Sequence, residues 1–322
     1  KKSLIATALI AAGAMCVHSA LAQTYPDRPI RLVIPFPPGG GSDITGRTIA
    51  QKLSEVMGQQ VVADNRGGAG GNIGTDIVAK AAPDGYTLVM ALSGPFSING
   101  SLLGKLPFDP LKDFALITLA GATPNLLVAH PSLAAHTVKE LIALAKAKPG
   151  SLNYASAGQG SSLHLTGEIF KMATGADLVH VAYKGSAPAL TDLIAGQVQL
   201  MFGTMPATLP QAKSGKLRAL GVSSLKRATA APDVPTIADG GVAGFEVLNW
   251  YGITLPGGTS QAIVRALNQD LLKALATPAM IEAFNAQGNE VAGGTPAEFA
   301  AFIKSEMTKY AKVVKAANIR AE

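Results

Sequence analysis

The order of apolar and polar residues predicts alternating strands and helices through the first two thirds of the chain. The β-branched run Ile30–Ile34 predicts a strand, and apolar residues at helical spacing predict a helix over Asp43–Met57. The alternation continues to residue 222 and predicts mainly parallel sheets with helices on both faces. The other predicted strands are Val61–Ala63, Tyr86–Ala91, Leu126–Ala129, Leu152–Ala155, Leu178–Val181, Val198–Phe202 and Leu217–Val222, and the other helices start at Thr137 or cover Ser162–Thr174, Ala187–Ala195 and Ala207–Lys213.

Helices dominate the last third of the chain. An extended run is predicted over Phe245–Leu255, and helices follow from near Thr259 and over Pro278–Ala286. Thr295–Glu298 has the T-x-x-E sequence of a capping box, with proline at the first helical position, and predicts the start of a final helix. The predicted buried stripe of that helix is Phe299, Phe302, Ile303, Tyr310 and Val313.

These elements predict an α/β protein of two lobes, each a mainly parallel sheet flanked by helices. Two βαβ blocks of similar length cover roughly residues 27–118 and 119–223. The simplest arrangement returns the last helices to the first block, so that two segments cross between the lobes. Lobe 1 is then expected to contain residues 23–118 and 224–322, and lobe 2 residues 119–223.

The N-terminal segment, residues 1–22, has the pattern of a secretory signal peptide. Two lysines precede an apolar stretch from Leu4 to Met15, and Ala20-Leu21-Ala22 provides a cleavage site of A-x-A type. The lone cysteine, Cys16, lies in this segment, and the bulky Met15 before it argues against a lipid attachment site. We therefore expect a periplasmic protein whose mature chain has no cysteine for a disulfide, a thiolate metal site or a nucleophile.

The composition narrows the function classes further. Charged residues make up 15% of the chain, the formal net charge of +6 includes the two lysines of the signal segment, and no basic block occurs. A nucleic-acid partner is therefore not expected. The motifs H-E-x-x-H, C-x-x-C and G-x-S-x-G are absent, so neither a metal nor a cofactor is predicted. Beyond residue 22, no apolar run is long enough to span a bilayer.

Loops rich in glycine and hydroxyl side chains follow several predicted strands. Pro35–Asp43 leads into a helix, whose unpaired N–H groups suit a carboxylate, although a tight turn capped by Ser42 or Asp43 would have the same sequence. Asp43 is expected to cap this helix and to pair with Arg47. Arg66–Gly74 is no dinucleotide loop, because Ile73 occupies the position of the third glycine.

The loop Ser156–His164 repeats this arrangement in the second block. His164 is predicted either to contact a ligand or to pack in the first helical turn, and Lys184 either to provide countercharge or to be an ordinary solvated lysine. Because parallel sheets bind ligands beyond the carboxyl ends of their strands, these loops are expected to share one site. The predicted ligand-binding residues are Phe36, Pro38, Gly39, Gly40, Gly41, Ser42, Ser93, Ser156, Ala157, Gly158, Gly160, Ser161, His164, Lys184 and Thr204.

These loops offer donors to a ligand but no evident catalytic group. No acidic pair lies in a general acid–base context, so no catalytic residue is predicted. A secreted enzyme on the same fold stays an alternative, in which His164 near Ser161 would be the reactive pair.

Several motifs taken together resemble the Bug (TctC-like) extracytoplasmic solute-binding proteins of tripartite tricarboxylate transport systems. The resemblance covers essentially the whole mature chain. It rests on Tyr25–Ile30 with Pro35–Asp43, Val61–Gly74, Pro83–Leu88, Tyr154–Glu168, Tyr183–Gln197, and Gly215–Val222 with Pro232–Thr236.

The resemblance implies a two-lobed periplasmic-binding-protein fold that closes on a small carboxylate. The carboxylate would be held by backbone groups of Phe36–Ser42 and met by Ser156–His164. The implied partner is a membrane permease of one large and one small subunit, a sensor protein is the alternative, and a monomer is expected. Where the family often has an acid after the strand Val198–Phe202, this chain has Gly203-Thr204, so an acidic amino acid is not assigned as the ligand.

Overall fold

The structure, a computed structural model, describes residues 25–316 and residue 319. The predicted signal segment and Cys16 lie outside these residues. The strands are β1 (Ile30–Ile34), β2 (Val61–Asn65), β3 (Thr87–Leu92), β4 (Phe114–Ala129), β5 (Leu152–Ser156), β6 (Leu178–Ala182), β7 (Leu200–Thr204), β8 (Arg218–Val222), β9 (Leu248–Pro256) and β10 (Glu290–Val291).

The helices alternate with these strands up to β8, as the overall pattern predicted, although the helices over Asn72–Ala79 and Asn99–Leu103 were not predicted. A short 3₁₀ turn covers Ala69–Gly71, and a π-helical turn covers Gly94–Ile98. The α-helices are α1 (Gly41–Met57), α2 (Asn72–Ala79), α3 (Asn99–Leu103), α4 (Val138–Ala147), α5 (Ser162–Thr174), α6 (Ser186–Ile194), α7 (Met205–Lys213), α8 (Gln261–Leu275), α9 (Pro278–Gln287) and α10 (Pro296–Ala316).

The strands form one continuous path in the order β2-β1-β3-β9-β4-β7-β5-β6, with β8 and β10 also paired to β4. The three outer strands at each end are mutually parallel, whereas β9 is antiparallel to β3 and β4, and β4 is antiparallel to β7 and β8. One or two strands therefore run against an otherwise parallel set in each half of the path, which confirms the prediction of mainly parallel sheets.

Two hydrophobic cores define two lobes. The core of lobe 1 contains Leu32, Met90 and Leu267, and the core of lobe 2 contains Leu127, Tyr154 and Phe202. Strand β4 crosses between them, because its early residue Ile117 belongs to the first core and Leu127 to the second. The sequence predicted only the last four residues of this 16-residue strand.

The chain returns to lobe 1 through β9. Ile237, Phe245 and Val247 pack in the core of lobe 2, whereas Tyr251 and Ile253 pack in the core of lobe 1. At the crossing, Ala122 pairs with Trp250, and Pro124 pairs with Leu248. The lobe boundary between residues 223 and 224 stays a prediction, and the packing supports a return crossing near Leu248.

The final helix contacts both lobes. Phe299, Ile303 and Tyr310 are buried as predicted, but Val314 rather than Val313 continues the buried stripe, and Phe302 is half-buried. Tyr310 packs with Leu165 of α5 in lobe 2. The capping box that starts this helix is confirmed, because Glu298 N donates to Thr295 Oγ1 at 3.2 Å and Thr295 N donates to Glu298 Oε2 at 2.7 Å.

The described residues contain neither a membrane-spanning helix nor a cluster of metal-binding side chains. No helix within residues 25–316 has both the length and the apolar content needed to cross a membrane. In the same part of the chain, no group of three or more His, Cys, Asp or Glu side chains is placed to hold a metal ion.

Candidate functional site

A small cavity of about 30 Å³ lies between the lobes where the glycine-rich loops meet. We call it the cleft cavity. Its walls come from the carboxyl ends of strands in both lobes and from the start of β9. The lining residues are Phe36, Ser42, Leu92, Ser93 and Gly94 of lobe 1, Ala157, Ser161, Ser162, Leu163, Ser186 and Thr204 of lobe 2, and Asn249, Trp250 and Tyr251 of β9.

Four helices begin at this cavity. Ser42 is in the first turn of α1, Ser161 caps α5, Ser186 is the first residue of α6, and Thr204 is the N-cap of α7. The first N–H groups of a helix have no partner within it, and the helix dipole places positive charge at this end. None of the described residues that line the cavity has a charged side chain. The positive potential of the cavity therefore comes from backbone dipoles, which suits an anion.

Thr204 offers a further donor. Its side chain is 5% exposed, it does not cap α7, and Oγ1 has no hydrogen-bond partner within the described residues. A buried hydroxyl without a partner is costly, on the order of 1–3 kcal/mol. The hydroxyl of Ser161 is already used, since it donates to Gly158 O at 2.6 Å and accepts from His164 N at 3.3 Å. Thr204 is therefore the better-placed hydroxyl to bind a ligand oxygen.

Glycines let the two lobes touch around the cavity. A Cβ added to Gly41 would overlap Thr204 Oγ1, and one added to Gly40 would overlap Ser186 Oγ. On another side of the cavity, a Cβ on Gly94 would come within 2.9 Å of Gly160 O. These contacts join loops of lobe 1 to loops of lobe 2. The structure thus has the cleft walls in contact, and the glycines are required for that contact.

The predicted pair between Asp43 and Arg47 is confirmed, but the predicted cap is wrong, because Gly40 is the N-cap of α1 and neither Ser42 nor Asp43 caps it. Its carboxylate accepts from Gly39 N at 3.0 Å, Arg47 Nε at 2.9 Å and Asn65 Nδ2 at 2.9 Å. Burial by itself would raise the pKa of Asp43, but the hydrogen bonds from Arg47, Gly39 and Asn65 outweigh it and lower that pKa. Asp43 therefore holds the loop before α1 in place, and its carboxylate does not cap the N–H groups at the start of α1.

Ser156 and His164 lie behind the lobe 2 loop rather than on the cavity wall. The His164 ring stacks on His180 with 4.2 Å between centroids, and Ser156 Oγ lies 2.6 Å from His180 Nε2. Burial first, and then the neighbouring His164, lower the pKa of His180 to about 4. His164 and Ser161, the reactive pair of the enzyme alternative, therefore have structural roles. His164 stacks on His180, and Ser161 caps α5.

The structure brings together only part of the predicted site. Gly40 and Gly41 lie at the contact between lobes, whereas Pro38, Gly39 and Lys184 are exposed and do not line the cavity. Gly158 and Gly160 shape the loop of lobe 2 through positive φ angles. The predicted residues on the cavity wall are Phe36, Ser42, Ser93, Ala157, Ser161 and Thr204.

Sequence reasoning missed a buried polar network at the crossing strands. Asn249 accepts from Ser162 and donates to Asn125 Oδ1 at 2.5 Å, and Asn125 Nδ2 lies 2.6 Å from Thr166 Oγ1. The network links β9 and β4 to the first turn of α5. The signal in the sequence was Asn249, which lies between Leu248 and Trp250 in the predicted extended run Phe245–Leu255.

Comparisons with known proteins agree with this architecture. The family model described as the tripartite tricarboxylate transporter family receptor matches residues 45–319. The structure of the periplasmic binding protein BugD is 36% identical, with a TM-score of 0.89, over 92% of this chain and 100% of that one. The predicted two-lobed periplasmic-binding-protein fold is thereby confirmed.

Two further solved structures contain carboxylates. Rpa4515 of R. palustris with adipate is 37% identical, with a TM-score of 0.90, over 92% of this chain and 99% of that one. MatC of Rhodopseudomonas palustris with bound malate is 31% identical, with a TM-score of 0.85, over 90% of this chain and 100% of that one.

Proposed function

The chain belongs to the tripartite tricarboxylate transporter receptor family, the TctC and Bug solute-binding proteins, and we propose that it captures a small carboxylate in the cleft cavity. One observation carries this proposal. Four helix N-termini and the unpartnered hydroxyl of Thr204 converge on a cavity whose described lining has no charged side chain.

The energetics are adequate for such a site. A hydrogen bond to a charged group contributes roughly 1.5–3 kcal/mol, and a helix end adds about 0.3–1 kcal/mol or more when it is partly buried. Micromolar affinity needs about 8 kcal/mol in total. A carboxylate that accepts several N–H and O–H bonds can reach this value after its desolvation, without help from a buried lysine or arginine.

Closure of the lobes completes the binding site. Thr204, Ser186 and Ser161 belong to lobe 2, whereas Ser42 and Ser93 belong to lobe 1, so an open cleft would present only half of the donors at a time. The ligand therefore binds the closed arrangement more tightly and shifts the population toward it. The adipate and malate in two related structures support a carboxylate as the ligand.

The physiological partner is the permease of a tripartite tricarboxylate transporter. The family description supports a transport role, and the signal-like residues 1–22 support delivery to the periplasm. The receptor acts as a monomer that passes the carboxylate to the permease. A sensor protein is the alternative partner, and a pull-down of the loaded receptor against each candidate would separate the two roles.

Thermal-shift measurements with a carboxylate panel test the proposed ligand class. Adipate, malate, citrate, benzoate and acetate are each compared with the corresponding neutral amide. At least one acid is expected to raise Tm, and its amide is expected to have no effect. A folded protein that none of these acids stabilises would contradict the proposal.

Two matched substitutions test whether the ligand binds in the cleft cavity. Thr204→Val removes the unpartnered hydroxyl and is expected to reduce the ligand-induced rise in Tm. Thr191→Val makes the same chemical change on the exposed face of α6, outside the cavity, and should preserve the rise. Equal responses from the two variants would show that the ligand binds elsewhere.

A further inference from the structure

A second cavity lies where the two crossing strands meet, and its volume is about 270 Å³. We call it the hinge cavity. Ala122 and Pro124 of β4 and Leu248 of β9 line it at the crossing, the loop of residues 224–230 lines it on one side, and Asn285 with residues 288–290 lines it on another. The hinge cavity shares no lining residue with the cleft cavity.

Apolar and charged groups share this lining. Ala122, Pro124 and Leu248 provide apolar surface, and Leu225 is 53% exposed. Lys226, Arg227, Glu246 and Glu290 also line the cavity. Arg227 donates one hydrogen bond to Pro232 O at 2.9 Å.

Among the residues that the structure describes, none of these four charged side chains forms an ion pair. Within residues 25–316, ion pairs of 4.0 Å or less join ten Lys or Arg side chains to other acids, and none of them involves these four residues. Two cations and two anions thus surround one partly apolar cavity without neutralising each other. A ligand that satisfies both kinds of charge must itself carry both.

We propose that the hinge cavity binds a small zwitterion with an apolar side chain, such as a free neutral amino acid of the leucine type. Its carboxylate would meet Lys226 or Arg227, and its ammonium group would meet Glu246 or Glu290. A simple carboxylate or a simple amine would satisfy only one pair. Charge-assisted hydrogen bonds of this kind give orientation, and the apolar lining receives the side chain.

The bound zwitterion would also strengthen closure of the cleft, a consequence that rests on the proposed function. Ala228 of the 224–230 loop packs in a second apolar cluster of lobe 2, with Leu126 and Val128, whereas Asn289 donates to Thr45 Oγ1 of α1 in lobe 1 at 3.1 Å. The hinge cavity is thus lined by both lobes, and it has this shape while the cleft walls are in contact. A ligand that fits it stabilises that arrangement and raises the affinity for the carboxylate.

Calorimetric titration with L-leucine and two analogues tests the binding site. Isocaproate lacks the ammonium group, and isoamylamine lacks the carboxylate. L-leucine is expected to bind, and each analogue to bind at least tenfold more weakly. No heat from L-leucine, or equal affinity for either analogue, would overturn the proposal.

Substitutions test whether leucine binds in the hinge cavity. Lys226→Gln and Glu246→Gln change exposed side chains and are each expected to weaken leucine binding about fivefold, whereas Lys216→Gln, exposed and outside both cavities, should have no effect. Thr204→Val should leave leucine binding intact. Unchanged affinity in the first two variants, or loss of leucine binding in Thr204→Val, would overturn the assignment to the hinge cavity.

A last titration tests the coupling between cavities. The carboxylate that stabilises the protein most is titrated with and without saturating L-leucine, and its affinity is expected to rise at least threefold when leucine is present. Unchanged or weaker affinity would overturn the coupling. If no carboxylate binds but L-leucine does, the proposed function fails and the hinge site stands.

Discussion

The two cavities between the lobes present charge to a ligand in opposite ways. The cleft cavity, about 30 Å³, is lined by hydroxyls and helix ends with no charged side chain among its described residues, whereas the hinge cavity, about 270 Å³, has four charged side chains around apolar surface. A buried charge without a partner costs several kcal/mol, whereas an exposed one costs little. The cleft cavity is buried, which explains why neutral dipoles line it. The charged side chains of the hinge cavity are exposed, so they need no partner there.

The largest expected effect comes from preventing contact of the cleft walls. Gly41→Ala places a methyl group against Thr204 Oγ1, and overpacking of this kind costs roughly 1–3 kcal/mol. Carboxylate affinity should therefore fall up to about a hundredfold, and leucine affinity at the hinge cavity should fall by a smaller factor, because the hinge cavity is coupled to contact of the cleft walls. Calorimetry measures both affinities.

Gly100→Ala is the matched control for this substitution. Its added Cβ would lie 3.9 Å from Leu106, an ordinary contact, and α3 is outside the cleft cavity. Carboxylate affinity should be unchanged in this variant. Full affinity in Gly41→Ala would show that the cleft walls need not touch for binding.

The next effect comes from the polar network that joins the crossing strands to the cleft. Asn249→Asp keeps the shape of the side chain but replaces the donor to Asn125 Oδ1 by a charged acceptor. An unsatisfied buried partner costs about 1–3 kcal/mol, so urea denaturation should show a loss of roughly 2 kcal/mol in the free energy of unfolding. Asn153→Asp, at a half-buried position of β5, should lower the free energy of unfolding much less. Equal losses in the two variants would show that the polar network does not contribute more than an ordinary position.

Thr204→Val separates binding from stability. The hydroxyl has no partner within the described residues, so its replacement by a methyl group should leave the free energy of unfolding unchanged or slightly higher. The lost hydrogen bond to a carboxylate should reduce affinity about tenfold, or ~1.5 kcal/mol. A combined loss of stability and affinity would contradict the role assigned to this hydroxyl.

The smallest expected effect is a dependence of stability on pH, caused by His180 behind the lobe 2 loop. Burial lowers the pKa of His180 to about 4 in the folded chain, so the unfolded chain, with its ordinary pKa near 6.5, takes up the proton first. Stability from this residue is present above pH 6.5 and is lost as the pH falls toward 4. Partial exposure limits the loss to about 1 kcal/mol.

The His180→Gln variant checks this dependence. Its Tm should fall less steeply between pH 6.5 and 4 than that of the unsubstituted chain. Nearby charged groups that also act on His180, Glu168 and Lys171, remain in both proteins. Parallel Tm curves would assign the acid sensitivity to other groups.

Local signals explain which elements the sequence could predict. Helix α5 has the predicted bounds, and its ends are locally determined, because Ser161 caps it and Gly175 ends it in the left-handed conformation. The Asp43–Arg47 pair follows from i,i+4 spacing on a helix. Strand β4 was largely missed because Gly121 and Pro124 are typical of loops, although neighbouring strands cover the crossing.

Tertiary contacts explain the rest of the site. Two loops of the cleft, Phe36–Ser42 and Ser156–His164, could be predicted from composition. Glycines and hydroxyl side chains between a strand and a helix are a pattern that can be read from neighbouring residues alone. Asn249 and Ser186 reach the same cavity only through strand crossing and lobe contact, which no local pattern encodes. The hinge cavity likewise forms from segments that are far apart in sequence.

The cleft is proposed to recognise a carboxylate through neutral donors, and one titration tests this recognition most directly. The acid that raises Tm most is titrated calorimetrically beside its amide, which has nearly the same shape but no charge. Tight binding of the acid with no measurable binding of the amide is the predicted result. Equal affinity for the two, or no binding of any acid by the folded protein, would contradict the account.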